Sequence, residues 1–501
     1  MSGNVGRVMM MGEHASVLPK GATPRGANAG GGARRSRPAA YTAMHGLLLA
    51  SVVATSACQR KSPPPPAPEQ LALQKVQCDP ENVGLTLPPG FCAVKVADYF
   101  ANLRGLAVAA NGDVYGAMIN RRLGIGGVVA LRDEDGDGHA DTIEQFGDQG
   151  GVGLEARGGY LYLGTDGAIL RYRLDDALVP RANPEVVVDG LPGAEPHASK
   201  TLAFDDGGGM FVSVGAPSNA CQEVDRSPGA AGQDPCPQLE QSAGIWRFQA
   251  DVTGQAFAQG EHYASGIRHA LAMDWHPTER QLYVVQHGRD QLSELWPQYY
   301  TSEQGNQLPA EEMLRVAPGA RYSWPYCYYD PQQRRRVLAP EYGGDGMRVG
   351  RCGDYPEPAA VFPAHYGPND MLIYRGSQFP RRYHGGAFIA FHGAYDRMGG
   401  GRSGYQVVFV PIDKGTIGDD WEVFADGFAG KARLGEEAAP AHRPTALAEG
   451  PDGSLYVADS VSGRIWRIVY RATRPPPAAV PPIPEPGSAA APPQNQGNTN
   501  E

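Results

Sequence analysis

One pattern of apolar and polar positions recurs along this chain. A short apolar run, an Asn/Asp/Gly turn and a second apolar run return repeatedly between residues 100 and 470. Copies begin at Leu106-Ala-Val-Ala-Ala-Asn-Gly-Asp-Val-Tyr, Gly158-Gly-Tyr-Leu-Tyr-Leu-Gly-Thr-Asp-Gly, Thr201-Leu-Ala-Phe-Asp-Asp-Gly, Ala270-Leu-Ala-Met-Asp-Trp-His-Pro and Ala446-Leu-Ala-Glu-Gly-Pro-Asp-Gly. A looser copy runs from Ala387-Phe-Ile-Ala-Phe-His-Gly to Tyr405-Gln-Val-Val-Phe-Val. Each copy reads as two strands joined by an Asx/Gly turn, and helical periodicity is nearly absent. A small sheet can hide its faces only against its neighbours, so six copies predict an all-β fold, a six-bladed β-propeller over residues 78–470. Blades this widely spaced leave long loops, where function concentrates.

The ends lack the repeat. Residues 1–57 carry Arg34, Arg35 and Arg37 before a short apolar run, His45-Gly-Leu-Leu-Leu-Ala-Ser-Val-Val-Ala-Thr-Ser-Ala57, which reads as a secretory signal. Cys58 follows, with Thr55 where a bacterial lipobox usually has Leu; the alternatives are lipidation of Cys58 or simple cleavage. Residues 58–77 form a stiff Pro-rich linker, and 471–501 a Pro/Ala/Asn/Gln tail expected to be disordered. These features predict an envelope protein on the periplasmic side of a bacterium, anchored by lipid through Cys58.

Cysteine usage points the same way. With Cys58 set aside, the other cysteines fall in three local pairs, Cys78/Cys92, Cys221/Cys236 and Cys327/Cys352. Disulfides suit an oxidising compartment; the competing reading, metal ligation, finds no Cys-x-x-Cys. Charge narrows the partners: 44 Lys+Arg against 54 Asp+Glu give a net −10, which argues against a nucleic-acid surface. No Gly-x-Ser-x-Gly, His-Glu-x-x-His or phosphate-loop motif is present.

Two groups of residues carry candidate chemistry. Asp133-Glu-Asp-Gly-Asp-Gly-His-Ala-Asp-Thr-Ile-Glu144 places Asp133, Asp135, Asp137, Asp141 and Glu144 at the acidic positions of a calcium loop, with Gly138 at its tight turn. Between strand-like flanks it would cap a hairpin, either as a structural metal site or as a solvated acidic turn. Separately, His197, Arg268-His269, His392, Arg397 and Arg443 stand at matching places beside blade strands. Equivalent blade positions converge on one mouth, and a ring of cations with a histidine suits a small polyanion; independent salt bridges are the alternative. Acids are not expected at those positions.

With Leu87-Pro-Pro-Gly-Phe, Leu131-Arg-Asp-Glu-Asp-Gly-Asp-Gly-His-Ala-Asp, Ser323-Trp-Pro-Tyr-Cys-Tyr, Phe391-His-Gly-Ala-Tyr-Asp-Arg and Arg443-Pro, the chain resembles the PQQ-dependent soluble sugar dehydrogenases over about residues 86–470, nearest their L-sorbosone dehydrogenase-like branch. The resemblance implies a six-bladed β-propeller, pyrroloquinoline quinone (PQQ) and Ca²⁺ as cofactors, a sugar or aldehyde substrate, and a soluble electron acceptor such as a cytochrome. It implies that His197, followed by Leu202, takes the substrate hydroxyl proton. It places Gln149, Arg268, His269, Arg397 and Arg443 at the cofactor, with His269 where the family has Asn and Pro196 where the glucose enzymes have an acid. Gly288 and Arg289 fall where main-chain oxygens hold the cofactor's calcium. Two other readings stay open: a non-catalytic propeller that binds a glycan or protein, and a calcium-dependent lactonase.

Overall fold

The computed structural model describes residues 75–471, apart from 101, 122, 194, 395–402, 414, 418–420 and 431–438. The expected signal, Cys58, most of the linker, the C-terminal tail and Arg397 lie outside the described residues. Six small sheets, mainly antiparallel, form a ring, a six-bladed β-propeller. Each copy of the repeat falls in a separate sheet. The innermost strands are Leu103–Val108, Gly153–Arg157, Leu202–Phe204, Ala270–His276, Pro368–Ile373 and Pro444–Glu449, in blades 1 to 6. Each touches the next, and Leu103–Val108 touches Pro444–Glu449 to close the circle. The closure is also threaded: Phe91–Ala97 pairs with Ile465–Tyr470, so the N-terminal strand completes the last blade.

The core consists of six apolar wedges, one between each pair of neighbouring blades. Side chains alternate across a strand, so Leu161 and Leu163 face blade 1 while Tyr162, between them, faces blade 3. Likewise Leu106 packs towards blade 6 and Ala107 towards blade 2. Both faces are buried, and so the strands read as apolar runs rather than as alternating ones. The wedge between blades 5 and 6 is aromatic, with Phe91 edge-on to Phe379 and Phe424 at centroid distances of 4.8 and 5.0 Å.

Blade 4 carries two long insertions between its strands. The first, 287–310, holds the two described α-helical segments, Leu292–Leu295 and Ser302–Gln307; the second, 317–359, holds a hairpin, Cys327–Asp330 with Arg335–Leu338. Thr301 caps the second helix by accepting from Gln304 N–H at 3.2 Å. All three local cysteine pairs are disulfides: Cys78–Cys92, Cys221–Cys236 and Cys327–Cys352. The last ties the second blade 4 insertion together, and Cys352 is fully buried. Replacing Cys327 and Cys352 by serine is expected to lower unfolding free energy by about 2–4 kcal/mol. Urea denaturation would show it, and an unchanged midpoint would count against the bond's contribution.

Candidate active site

Each innermost strand runs from one face of the ring to the other, so the residues just before it gather at one mouth. The mouth receives Arg104 from blade 1, His197 before blade 3, Arg268 and His269 before blade 4, and Arg443 before blade 6. The returning second strands of blades 4 and 5 add His287 and His392. Four imidazoles thus form a chain across three blades. The His197 and His269 rings stack at 4.5 Å, His269 lies 5.1 Å from His287, and His287 lies 6.4 Å from His392. Gly215 makes the first contact possible: a Cβ there would lie 2.5 Å from the His197 Cβ and 2.9 Å from His269 Nδ1.

Backbone carbonyls fix the orientation of three of these rings. His197 Nδ1 lies 2.6 Å from Ala216 O, His287 Nε2 2.8 Å from Pro368 O, and His392 Nδ1 2.8 Å from Gly393 O. A carbonyl only accepts, so in each pair the ring nitrogen donates. His197 Nε2 is therefore unprotonated, and it has no hydrogen-bond partner among the described residues. His269 Nδ1 is buried and unpartnered. Burial, followed by the positive charge of Arg268, lowers His197 to about 3 and His287 to about 4. Burial, with Arg104 and Arg443 next, holds His392 well below its usual value. His269 is lowered too, first by burial. The histidines are thus neutral at pH 7, and the mouth's positive charge belongs to its arginines. This departs from the ordinary imidazole value of about 6.5, which the sequence alone suggests for His197.

Arg268 is almost wholly engaged. Its Nε donates to Asn219 O at 3.2 Å, Nη1 to Gly288 O at 2.9 Å, and Nη2 to Asn219 Oδ1 at 3.0 Å and Asp290 Oδ2 at 2.9 Å. It clamps the loop after Gly215 to the loop 287–290. Burial works against ionisation of Asp290, but Arg268 and Arg226 overcome it and hold the carboxyl below the usual range. Gly288 N–H donates to Glu311 Oε2 at 2.6 Å. Both polar backbone groups of Gly288 are therefore committed, and Ca²⁺ there would compete with Arg268 for the carbonyl. The Arg289 side chain pairs with buried Glu341.

Arg443 is buried, its backbone N–H donating to Asp459 Oδ1 at 2.6 Å. Its guanidinium carbon lies 5.5 Å from the Tyr405 ring centroid. Gln149 is exposed in the loop leading to blade 2. The calcium-like loop lies on the opposite face, between Ile125–Arg132 and Thr142–Phe146. There Asp133, Asp135 and Asp141 bring carboxylate oxygens within 4.8 Å of one another. Asp137 and Glu144 do not join them; Asp137 Oδ1 accepts His139 N–H at 2.8 Å instead.

Sequence reasoning missed Arg104, Asn219, Asp290 and buried Lys200, whose ammonium is lowered to about 8 by burial. Arg104 had a partial signal, since it stands two residues before Leu106-Ala107, as Arg268 and Arg443 stand three and four before Leu271-Ala272 and Leu447-Ala448. It missed acids as well. Glu155, Asp274, Asp370 and Glu449 come from the innermost strands of four blades and line the central channel below the mouth, at places within the strands rather than at the positions beside strand starts where cations were expected.

These observations define a six-bladed propeller with a cationic, histidine-lined mouth. The family model described as TrAA12-like matches residues 85–471, and the chain belongs to that family. Among solved structures it is similar to a carbohydrate-active enzyme of family AA12 from Trichoderma reesei, in its iodide form, at 18% identity and a TM-score of 0.62, covering 77% of this chain and 98% of that one. It is also similar to the holo form of the pyranose dehydrogenase PQQ domain from Coprinopsis cinerea, at 17% identity and a TM-score of 0.58, over 77% and 97% of the two chains. At these identities the likeness establishes the fold. A curated relative, an uncharacterised protein of Borreliella burgdorferi, is 26% identical over 212 residues, 42% of this chain and about half (49%) of that protein.

Proposed function

We propose that this protein is a PQQ-dependent oxidoreductase that oxidises an aldose or aldehyde-like carbohydrate, with His197 as the proton acceptor. The observation that carries this reading is the neutral His197, pinned through Nδ1 and open at Nε2, in a mouth charged by arginines. Membership of the TrAA12-like family supports it, as does the fold shared with a PQQ domain.

The residues present fit the cofactor's chemistry. PQQ carries three carboxylates, and Arg104, Arg268 and Arg443 place positive charge at the mouth to match them; the unpartnered His269 Nδ1 adds a polar site. Bound PQQ supplies a two-electron acceptor. His197 Nε2 takes the substrate hydroxyl proton, and the Ala216 carbonyl holds the ring as its charge develops. The Asn219–Arg268–Asp290 clamp fixes the wall beside it. Asp133, Asp135 and Asp141 hold a structural Ca²⁺ on the other face. The lipid anchor at Cys58 and a cytochrome-like acceptor complete this reading as an envelope enzyme.

An absorbance titration tests it. The purified protein should bind PQQ, and Arg443→Ala should weaken that binding by about tenfold or more, since a charge-assisted hydrogen bond contributes about 1.5–3 kcal/mol. No spectral change at saturating PQQ and Ca²⁺ would overturn the enzyme reading and leave the non-catalytic propeller. The pH profile gives a second check. His197 is protonated only near pH 3, so kcat/KM should show no loss from this group between pH 7 and 5. An acid limb near 6.5 that disappears in His197→Ala would contradict its assigned state.

A further inference from the structure

We propose that Arg121, at the tip of blade 1, is the positioning residue of His197: its guanidinium holds the segment 195–199 so that the imidazole keeps Nδ1 on Ala216 O and leaves Nε2 open. The inference rests on the reading of His197 as the proton acceptor. Regular structure does not hold this segment, which lies outside every strand and helix. Leu191 N–H donates to Gly167 O at 2.9 Å, and the next backbone tie is Lys200 O, which accepts from Gly153 N–H at 2.9 Å. Among the described residues, none of 195–199 makes a backbone–backbone hydrogen bond. Side chains therefore fix where His197 stands.

Arg121 reaches the segment from another blade. It sits in the turn between the second and third strands of blade 1, Val114–Asn120 and Ile125–Arg132, where Leu123 N–H donates to Asn120 O at 3.2 Å. Its Nε donates to Asp166 Oδ2 at 2.7 Å, and Nη2 donates to the other Asp166 oxygen. This fork sets the guanidinium plane against the matching turn of blade 2, a turn closed by Thr165 N–H on Ala168 O at 2.9 Å. Nη2 also donates to Ser199 Oγ at 3.0 Å, and Nε lies 3.3 Å from Glu195 Oε1. Glu195 and Ser199 stand two residues to either side of His197, so one planar group grips the segment on both flanks. From the buried side, Lys200 Nζ donates to Ala198 O, the carbonyl next to His197.

The grip serves orientation more than stability. The Arg121 and Asp166 side chains are 38% and 35% exposed, and ion pairs so exposed contribute little to folding. Misplacing a reacting group by about 1 Å, by contrast, costs about 10²-fold in rate. Lysine in place of Arg121 would keep the charge but lose the fork.

The test begins with PQQ-free protein labelled with ¹⁵N-histidine. The His197 resonances, assigned by their absence in His197→Gln, should show the Nδ1–H tautomer alone in the wild type. In Arg121→Ala they should show both tautomers averaged, with the urea denaturation midpoint unchanged. In the PQQ-loaded enzyme, Arg121→Ala should lower kcat by about tenfold or more while leaving KM and the Kd for PQQ unchanged. Arg121→Lys should recover only part of kcat. An unchanged His197 spectrum in Arg121→Ala overturns the proposal. So does a denaturation midpoint that falls with the spectral change, or full recovery of kcat in Arg121→Lys. The spectrum is read without cofactor, so an inactive wild type would remove the enzyme reading and still leave the tautomer result to decide whether Arg121 sets this ring.

Discussion

Replacing His197 by alanine is expected to lower turnover by about 10²–10⁴, the usual contribution of a positioned general base, while leaving PQQ binding nearly intact. A sugar hydroxyl is a weak acid, and removal of its carbon-bound hydrogen as hydride becomes easier when a base takes the proton in the same event. His197 is a weak base by its lowered pKa, but it is wholly in the accepting form at neutral pH. Its fixed tautomer means that no reorientation precedes the transfer. The cofactor's carboxylates are assigned to arginines rather than to this ring, which separates binding from turnover in the variant. Gly215→Ala should reproduce part of the loss by displacing the ring, because the new Cβ would overlap the His197 backbone and side chain. Steady-state assays with a dye acceptor across a sugar and aldehyde panel decide the matter. Wild-type turnover in His197→Ala would remove the base assignment, and loss of activity in His269→Ala alone would move it one blade along.

The propeller was legible in the sequence because its physics is periodic. Each blade needs an apolar pair of central strands and a tight polar turn, and those units survive intervening loops of very different length. Even the looser copy, Ala387–His392 with Tyr405–Val410, forms the middle of blade 5. What the repeat did not announce was the closure by Phe91–Ala97, which precedes the first copy and pairs with the last strand across the whole chain. The site was legible where a residue touches a strand start, as with His197, Arg268, His269 and Arg443. It was not legible where function depends on who is already bonded to whom. Nothing in the string Arg268-His269 says that the guanidinium is consumed by Asn219, Gly288 and Asp290, which come from two other loops. The channel acids escaped for a related reason. Glu155 and Asp370 occupy inner strands at different offsets within the repeat, so they meet in space without lining up in sequence.

Glu341→Leu alone is expected to destabilise the fold by about 3–5 kcal/mol, the usual consequence of leaving one partner of a buried ion pair without the other. Glu341 is fully enclosed and its partner Arg289 is 4% exposed by side chain. The carboxylate also accepts from Trp296 Nε1 at 2.8 Å, so its removal strands a second buried donor. This pair joins the second blade 4 insertion to the loop of the first that carries Gly288 and Asp290, and through Arg268 that loop meets the mouth. Loss of the pair should therefore show twice, as a lower denaturation midpoint and as weaker PQQ binding. A double variant, Arg289→Met/Glu341→Leu, separates charge from packing. It removes the stranded guanidinium and fills the space with apolar atoms, and replacing whole buried pairs in this way is often neutral or better. Most of the lost stability should return in the double variant. If the double variant is as unstable as Glu341→Leu, the stranded charge is not the cause. If Glu341→Leu itself unfolds at the wild-type midpoint, the insertion is held to the mouth by something other than this pair.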